Sequence, residues 1–583
     1  MTVLITLDKV TFSYTGDPKD PHPALKDITL QFHEGEFAVI LGANGSGKTT
    51  LARHLNGLLL PTLGRVLVTN LDTRDRSCHG IIRQRVGMVF QHPEDQIVAT
   101  TVEEDVAFGP ENLGLPPSEI RQRVDAAIEA VGLEAHRHRP PHMLSSGQMQ
   151  RLALAGVLAM RPRVVVFDEA TTMLDPAGRR MALALMAELR ASGMAVLFVT
   201  HNMEEAALAD RAVVLSEGSV VFDGAPRELF TRQSLEDWGL EPPPVVELGG
   251  RLRRLFPHLP EDLLTVEELL GSLPSPQRPC EPPEHRVDGG TDQQGREWAI
   301  EVQGLNHTYM LGTPLAHQAL QNASLQVAAG RAHALVGVTG SGKSTLLQHL
   351  NGILRPQEGK VRVGPFQLDD PTVSTRQVVR LAGLVMQNPE SQFFEQFVGD
   401  EIAYGPRQLG CDEPLASRVR WAMEQVGLDF LAFKDRFTDT LSGGEKRKVA
   451  LASILAIKPR FLLLDEPTAG LDPRSRKEIL LTLRRMVSEG MEIVLSSHQM
   501  EDVAMLAHDL TAFRKGRNAL QGVAAEVFWQ FEAVRELGLE PPVAALVAAR
   551  LRTLGWGVPS RVVTAEMLMD HLERCVEVQG EPV

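Results

Sequence analysis

Cysteine is scarce in this chain, with four in 583 residues, and Cys78, Cys280, Cys411 and Cys575 form no C-x-x-C pair. That spacing excludes a zinc ribbon or a disulfide framework and reads as reduced thiols. Tyrosine is rarer still, at three. Positive charge is in deficit, and the net charge of −15 argues against a general nucleic-acid binder, so no nucleic-acid partner is expected. No run approaches the roughly 20 apolar residues of a membrane helix. The start of the sequence shows no basic segment followed by a long apolar run, so no signal peptide is expected. Any membrane role must come through a partner.

What is present is a substantial apolar fraction, 43%, in a chain too long for one hydrophobic core. It also carries one phosphate-gripping loop twice. Gly42-Ala43-Asn44-Gly45-Ser46-Gly47-Lys48-Thr49 and Gly337-Val338-Thr339-Gly340-Ser341-Gly342-Lys343-Ser344 both fit G-x-x-x-x-G-K-[ST]. Each follows an apolar run and opens a helix-like stretch, beginning at Thr50 and Thr345. Glycines let backbone N–H groups turn toward phosphate oxygens, and the helix N-terminus adds a favourable dipole. The lysines bring charge to the phosphates, and the Thr49 and Ser344 hydroxyls suit Mg²⁺.

Aligning the two loops brings other segments into register. Gln91 matches Gln387, Ser145 matches Ser442, Asp168 matches Asp465 and His201 matches His498 at nearly constant offset. Such constancy marks a duplication. Each half has a β-rich start, a helical middle near residues 101–160 in the first copy, and continuous apolar strands alternating with helices. Strands of that kind predict a parallel sheet covered on both faces. The duplication extends further: Gly239-Leu240-Glu241-Pro242-Pro243 recurs as Gly538-Leu539-Glu540-Pro541-Pro542. Each half is therefore expected to own a small helical tail.

Asp168-Glu169 and Asp465-Glu466 end apolar strands, as a Walker B element does. The aspartate suits Mg²⁺ and the glutamate suits activation of the attacking water. Leu144-Ser145-Ser146-Gly147-Gln148 and Leu441-Ser442-Gly443-Gly444-Glu445 precede helices. With these the chain resembles ATP-binding-cassette (ABC) ATPases, whose signature is L-S-G-G-[QE], over about residues 3–230 and 299–520. The resemblance implies ATP and Mg²⁺ as cofactors. It makes Gln91 and Gln387 Q-loop residues near Mg²⁺, Asp175 and Asp472 D-loop residues, and His201 and His498 switch histidines acting with Glu169 and Glu466. Tyr14 and Tyr309, each 34 residues before a P-loop lysine, match the aromatic that stacks on adenine. It also implies head-to-tail cassette pairing, taken here as pairing within one chain. Lys48, Glu169 and His201 would then face Ser442, Gly443 and Gly444, while Lys343, Glu466 and His498 would face Ser145, Ser146 and Gly147. Ser146 replaces a signature glycine; were that glycine's backbone one that only Gly adopts easily, the cost would be on the order of 1 kcal/mol and the second site the weaker.

The segments after the Q-loops narrow the resemblance. Gln91-His92-Pro93-Glu94-Asp95-Gln96 leads to Asp105-Val106-Ala107-Phe108-Gly109-Pro110, and Gln387-Asn388-Pro389-Glu390-Ser391-Gln392 leads to Asp400-Glu401-Ile402-Ala403-Tyr404-Gly405-Pro406. Both are similar to the ATPases of energy-coupling factor (ECF) transporters, which import vitamins, cobalt or nickel. That implies an integral-membrane T component, a small substrate-binding S component, and a place on the cytoplasmic face of the membrane. Glu94, Asp95 and Glu390 would line a groove for basic residues of the T component.

The expected architecture is α/β. It has two P-loop cassettes, each with a parallel-sheet core, an antiparallel β subdomain and a helical subdomain, plus helical extensions. Boundaries are expected at 1–230, 231–271 (helical extension), 272–297 (flexible linker), 298–522 and 523–583. A ribosome-acting ABC-F ATPase is the alternative from another class, but residues 272–296 hold three arginines against four acids with several prolines, unlike its charged helical linker. A fused sugar-importer ATPase is a third reading.

Overall fold

The computed structural model describes residues 2–144, 146–171, 174, 176–232, 235–276, 297–313, 316–411 and 413–579. Most of the expected linker (277–296), the signature Ser145 and the D-loop Asp175 lie outside the described residues.

The chain divides into two units: 1–246 with 261–265, and 247–260 with 266–583. In the first, Phe37–Leu41, Val164–Asp168 and Ala195–Val199 are buried at every position. They pair in parallel, Phe37 opposite Val196 and Val164 opposite Ala195. This explains why these strands read as unbroken apolar runs: helices or a second sheet cover both faces. Val86–Val89 closes one edge in parallel, and Arg211–Ser216 with the antiparallel Ser219–Gly224 closes the other. A second, four-stranded antiparallel sheet includes Val3–Phe12, Leu25–His33 and Leu63–Val68. Leu25–His33 alternates buried and exposed residues along much of its length, as a strand with one wet face does. The helical subdomain is Val102–Asn112, Pro117–Ala130 and Ser146–Ala159, packed through Val102, Val106, Val124, Ile128, Leu152 and Ala155.

The second unit repeats this plan. Its core strands are Ala332–Val336, Phe461–Asp465 and Glu492–Ser497, and its helical subdomain is Val398–Leu409, Leu415–Gln425 and Gly443–Leu455. The two-cassette α/β architecture is thus present, with both P-loops at the C-terminal ends of central parallel strands. That end of an open α/β sheet is where ligands bind.

The tail of the first half behaves differently from the expectation that each half owns its extension. Residues 247–260 and 266–276 group with the second unit. Trp556 there packs on Phe256 with ring centroids 4.9 Å apart and donates its indole N–H to the Pro274 carbonyl at 2.7 Å. Apolar faces such as Leu269 and Leu551 are fully buried there, because a seven-residue helix such as Val266–Ser272 cannot hold its shape without a partner surface.

One core residue makes the second unit acid-sensitive. His333 lies in the central strand, 2% exposed, with Nε2 2.9 Å from Thr511 Oγ1. Burial lowers its pKa from 6.5 to about 4, against a smaller upward pull from Asp509. The unfolded chain therefore binds the proton first, and stability falls as pH drops from 6.5 toward 4. The expected loss from this group is about 2 kcal/mol at pH 5 relative to pH 7.5. Urea denaturation at both pH values should show that difference shrink by this amount in His333→Val/Thr511→Val. An unchanged difference would mean the imidazole is not held neutral by the fold.

Candidate functional site

The first P-loop joins strand Phe37–Leu41 to helix Lys48–Leu55, and the second joins Ala332–Val336 to Lys343–Leu350. Gly47 and Gly342 cap these helices with φ of 103° and 105°. A Cβ would lie 2.6 Å from the Ala24 carbonyl oxygen in one and 2.7 Å from that of Ala319 in the other. Only glycine satisfies both the left-handed backbone and the close approach. Lys48 and Lys343 are buried, and each folds back over its loop. Lys48 Nζ donates to the Gly42 and Ala43 carbonyls at 2.8 and 2.9 Å; Lys343 Nζ donates to those of Gly337 and Val338 at 2.7 and 3.2 Å. The loop residues Asn44, Gly45, Thr339 and Gly340 lie between these anchors. Ser46 Oγ and Ser341 Oγ are buried without a hydrogen-bond partner, so each cradle holds an unsatisfied hydroxyl, as an anion site would.

The acidic pairs stand beside the loops. Thr49 Oγ1 donates to Asp168 Oδ1 at 3.1 Å. Burial raises the Asp168 pKa to about 6, and it raises that of Asp465 as well, partly offset there by hydroxyls of Ser496 and Ser344. A buried carboxylate so destabilised as an anion favours a nearby cation. Hydroxyl plus carboxylate oxygens are the hard donor set that Mg²⁺ takes, so the residues present fit that ion.

Glu169 and Glu466 both have positive φ, 50° and 47°. Non-glycine residues held there mark sites where the surroundings impose the backbone. Their contacts differ. Glu169 Oε2 accepts from Gln91 Nε2 at 3.1 Å and lies 3.7 Å from His201 Nδ1. Glu466 Oε2 lies 2.8 Å from His498 Nδ1, and Oε1 is 3.6 Å from Lys343 Nζ. Burial pushes both glutamates up, but the hydrogen bond and charge of the neighbouring histidine, with the P-loop lysine, outweigh it and hold both below the usual carboxylate value. The structure therefore brings Lys343, Glu466 and His498 together, and Gln91, Glu169 and His201. Gln387 stays exposed.

Tyr14 and Tyr309 sit at the P-loop helices. Tyr14 Oη is 3.0 Å from Thr50 Oγ1, and Tyr309 Oη donates to Thr345 Oγ1 at 3.2 Å. Each ring stands edge-on to a neighbour, Phe12 or His307. Tyr14 is 66% exposed, leaving a face for a planar ligand.

Ser442 opens its helix through a capping box with Glu445, and Arg436 Nη1 donates to Glu445 Oε1 at 3.0 Å. Gln148 instead meets His136, with 2.9 Å between side-chain nitrogens. The strain foreseen at Ser146 does not arise. Gly443, its counterpart, has no positive φ, and a Cβ there meets nothing within 4 Å. Ser146 likewise opens a helix, Ser146–Ala159. The tight position is Gly444, where a Cβ would lie 2.4 Å from Ser475 Oγ; at Gly147 the nearest atom, Leu174 Cδ2, is 3.6 Å away.

Sequence reasoning missed several supports. Ser496 Oγ donates to Asp465 Oδ1 at 2.6 Å and accepts the Glu466 N–H at 3.0 Å. Arg447, on the signature helix, is buried and donates to the Met386 and Ala469 carbonyls at 2.9 and 3.3 Å. No local pattern marks it, because Arg447 stands in the charged run Glu445-Lys446-Arg447-Lys448.

Comparison with known proteins agrees with this geometry. The ABC transporter family model matches residues 25–172 and 320–469. A Methanosarcina mazei chain named for an ABC transporter ATP-binding role is 34% identical over 97% of this chain and 96% of its own. Single-cassette relatives are also found. The energy-coupling factor transporter ATP-binding protein EcfA1 of Caldanaerobacter subterraneus is 51% identical over 46% of this chain and 98% of its own; that of Symbiobacterium thermophilum is 52% identical over 46% and 96%. Two complete sets of P-loop, Walker B and signature elements, in cassettes that the family model matches separately, make this chain a tandem ATPase of the ABC transporter family.

Proposed function

We propose that the chain is the energy-coupling ATPase of an ECF-type importer, driving uptake of a vitamin or metal ion through an integral-membrane T component and a small S component. The observation that carries this reading is the Q-loop segment, present in both halves, together with the half-length relatives named for energy coupling. No helix among the described residues is long and apolar enough to cross a membrane, so transport requires partners. The chain would work at the cytoplasmic membrane face.

In this reading each ATP lies between the P-loop of one cassette and the signature of the other. The P-loop amides and Lys48 or Lys343 bind the phosphates, Tyr14 or Tyr309 takes the adenine, and Ser442-Gly443-Gly444-Glu445 or Ser145-Ser146-Gly147-Gln148 closes on the γ-phosphate. Thr49, Gln91 and Asp168, or Ser344, Gln387 and Asp465, would hold Mg²⁺, which supplies charge neutralisation when bound. Glu169 and Glu466 orient the attacking water, and their ionised state at neutral pH suits that task. His201 and His498, already at the glutamates, hold them toward the phosphate.

The partner-facing groove would run beside Pro93–Asp95, a short turn on which Glu94 and Asp95 are exposed. In the second copy Glu390 pairs with Lys446, which leaves it less charge to offer. Glu94→Lys/Asp95→Lys should therefore cut capture of the membrane component severalfold while leaving ATP binding intact. Pull-down from detergent-solubilised membranes, with nucleotide binding as control, measures both. Undiminished capture would remove the groove, and sedimentation with ribosomes in place of membranes would remove the importer reading.

A further inference from the structure

Four residues beyond the switch histidine of each cassette lies a buried carboxylate that the ATPase chemistry above does not use. Asp502 is 1% exposed, four residues beyond His498 on helix Met500–Leu506. Its Oδ1 accepts from Arg476 Nε at 3.0 Å and also from Arg476 Nη2. Its Oδ2 accepts from Thr468 Oγ1 at 2.6 Å. Thr468 is two residues beyond Glu466. Arg476 lies in the first turn of helix Pro473–Ser488, which the D-loop Asp472 caps by accepting the Ser475 N–H at 3.0 Å. One carboxylate thus ties the segments carrying the catalytic glutamate, the D-loop and the switch histidine.

The first cassette builds a related junction, which joins the helix after the D-loop to the segment carrying the switch histidine. Glu205, 2% exposed and four residues beyond His201, accepts from Arg179 Nε at 2.6 Å through Oε1. Its Oε2 accepts from Thr200 Oγ1 at 2.5 Å. Arg179 follows the first D-loop as Arg476 follows the second. The extra methylene of glutamate carries the second contact to the residue adjoining His201.

We infer that Asp502 and Glu205 are positioning residues for hydrolysis, fixing the switch histidine of each cassette relative to the helix that follows its D-loop. A buried ion pair is a poor source of net stability, because desolvation cancels most of the attraction and an apolar pair of similar volume does as well. What it supplies is directional geometry, through an arginine fork and a hydroxyl that accept only one placement of the carboxylate. The beneficiary is the His498–Glu466 contact at 2.8 Å, since a misplacement of about 1 Å at reacting groups costs on the order of 10²-fold in rate.

The test uses the full-length chain. Glu205→Gln/Asp502→Asn keeps size and hydrogen bonding but removes both charges. It is expected to lower ATPase kcat about tenfold, with KM for ATP within twofold, and to lower the melting temperature as well, because each arginine is left without its carboxylate. Glu205→Asp/Asp502→Glu, exchanging the two natural solutions, should recover most of the rate. Thr468→Val, which leaves the ion pair intact and cuts only the tie to the catalytic-glutamate segment, should lower kcat about threefold in a chain that still folds, at a small loss of melting temperature. An unchanged kcat in the neutralised chain overturns the inference. So does a lower melting temperature with kcat preserved, which would mark a purely structural ion pair. If the neutralised chain fails to fold, an unchanged kcat in Thr468→Val overturns it equally.

Discussion

ATP turnover is expected to fall by on the order of 10²-fold or more in Glu169→Gln/Glu466→Gln, with ATP binding retained, because removing a positioned acid–base group forfeits about that factor. The side chains hold no loop together: their partners are His201, Gln91, His498 and Lys343. Glutamine fills the same space but cannot draw a proton from water, so the phosphate cradle survives while the chemistry stops. Phosphate release under saturating ATP, alongside equilibrium binding of ATP, separates the two effects. Residual turnover above a tenth of the parent rate would mean neither glutamate activates the water. The single variants carry a second result. Glu466 already touches both its histidine and its lysine, whereas Glu169 touches glutamine and stands farther from His201. Glu466→Gln is therefore expected to cost more than Glu169→Gln, and equal residual rates would remove the argument that the two sites differ.

That inequality shows where sequence reasoning reached and where it stopped. The loops, the acidic pairs and the histidines were legible because each is a short run whose chemistry needs particular residues at fixed spacing. The parallel core was legible because strands buried on both faces must be largely apolar, as Phe37–Leu41 and residues 461–464 are. The argument for a weaker site from Ser146 failed because it assumed a left-handed backbone that the helix start at Gly443 does not have. The asymmetry that the structure does contain lies elsewhere. Ser496 bridges Asp465 and the Glu466 backbone, while in the first cassette the Glu169 N–H goes to the Val199 carbonyl. Supports such as Ser496, Asp502 and Arg447 act across strands and helices that are distant in sequence. Their partners are set by packing, and no local pattern announces them. The association of residues 247–260 and 266–276 with the C-terminal helices was hidden for the same reason, since two similar amphipathic tails do not say which core each will join.

The other large effect concerns binding. Lys48→Met/Lys343→Met is expected to abolish saturable ATP binding at concentrations that fill the parent chain, each site losing about 10²-fold, or roughly 3 kcal/mol, as when one partner of a buried charge pair is truncated. Each Nζ is buried, held by two loop carbonyls, and delivered to the mouth of the cradle. Methionine keeps the length and apolar stem but removes the charge facing the phosphates and the donor that closes the loop. Arginine is not expected to rescue. Its planar fork does not fit between two carbonyls that receive a compact ammonium, and its charge sits farther along the side chain. Binding of a fluorescent ATP analogue, with melting temperature as the control for folding, decides the matter. If the double methionine chain binds ATP within threefold of the parent, the lysines are structural plugs of the loop and not phosphate ligands. The contrast with the glutamine variants is then diagnostic in itself, because loss of the lysine charge removes binding and turnover together, whereas loss of the glutamate charge removes turnover alone.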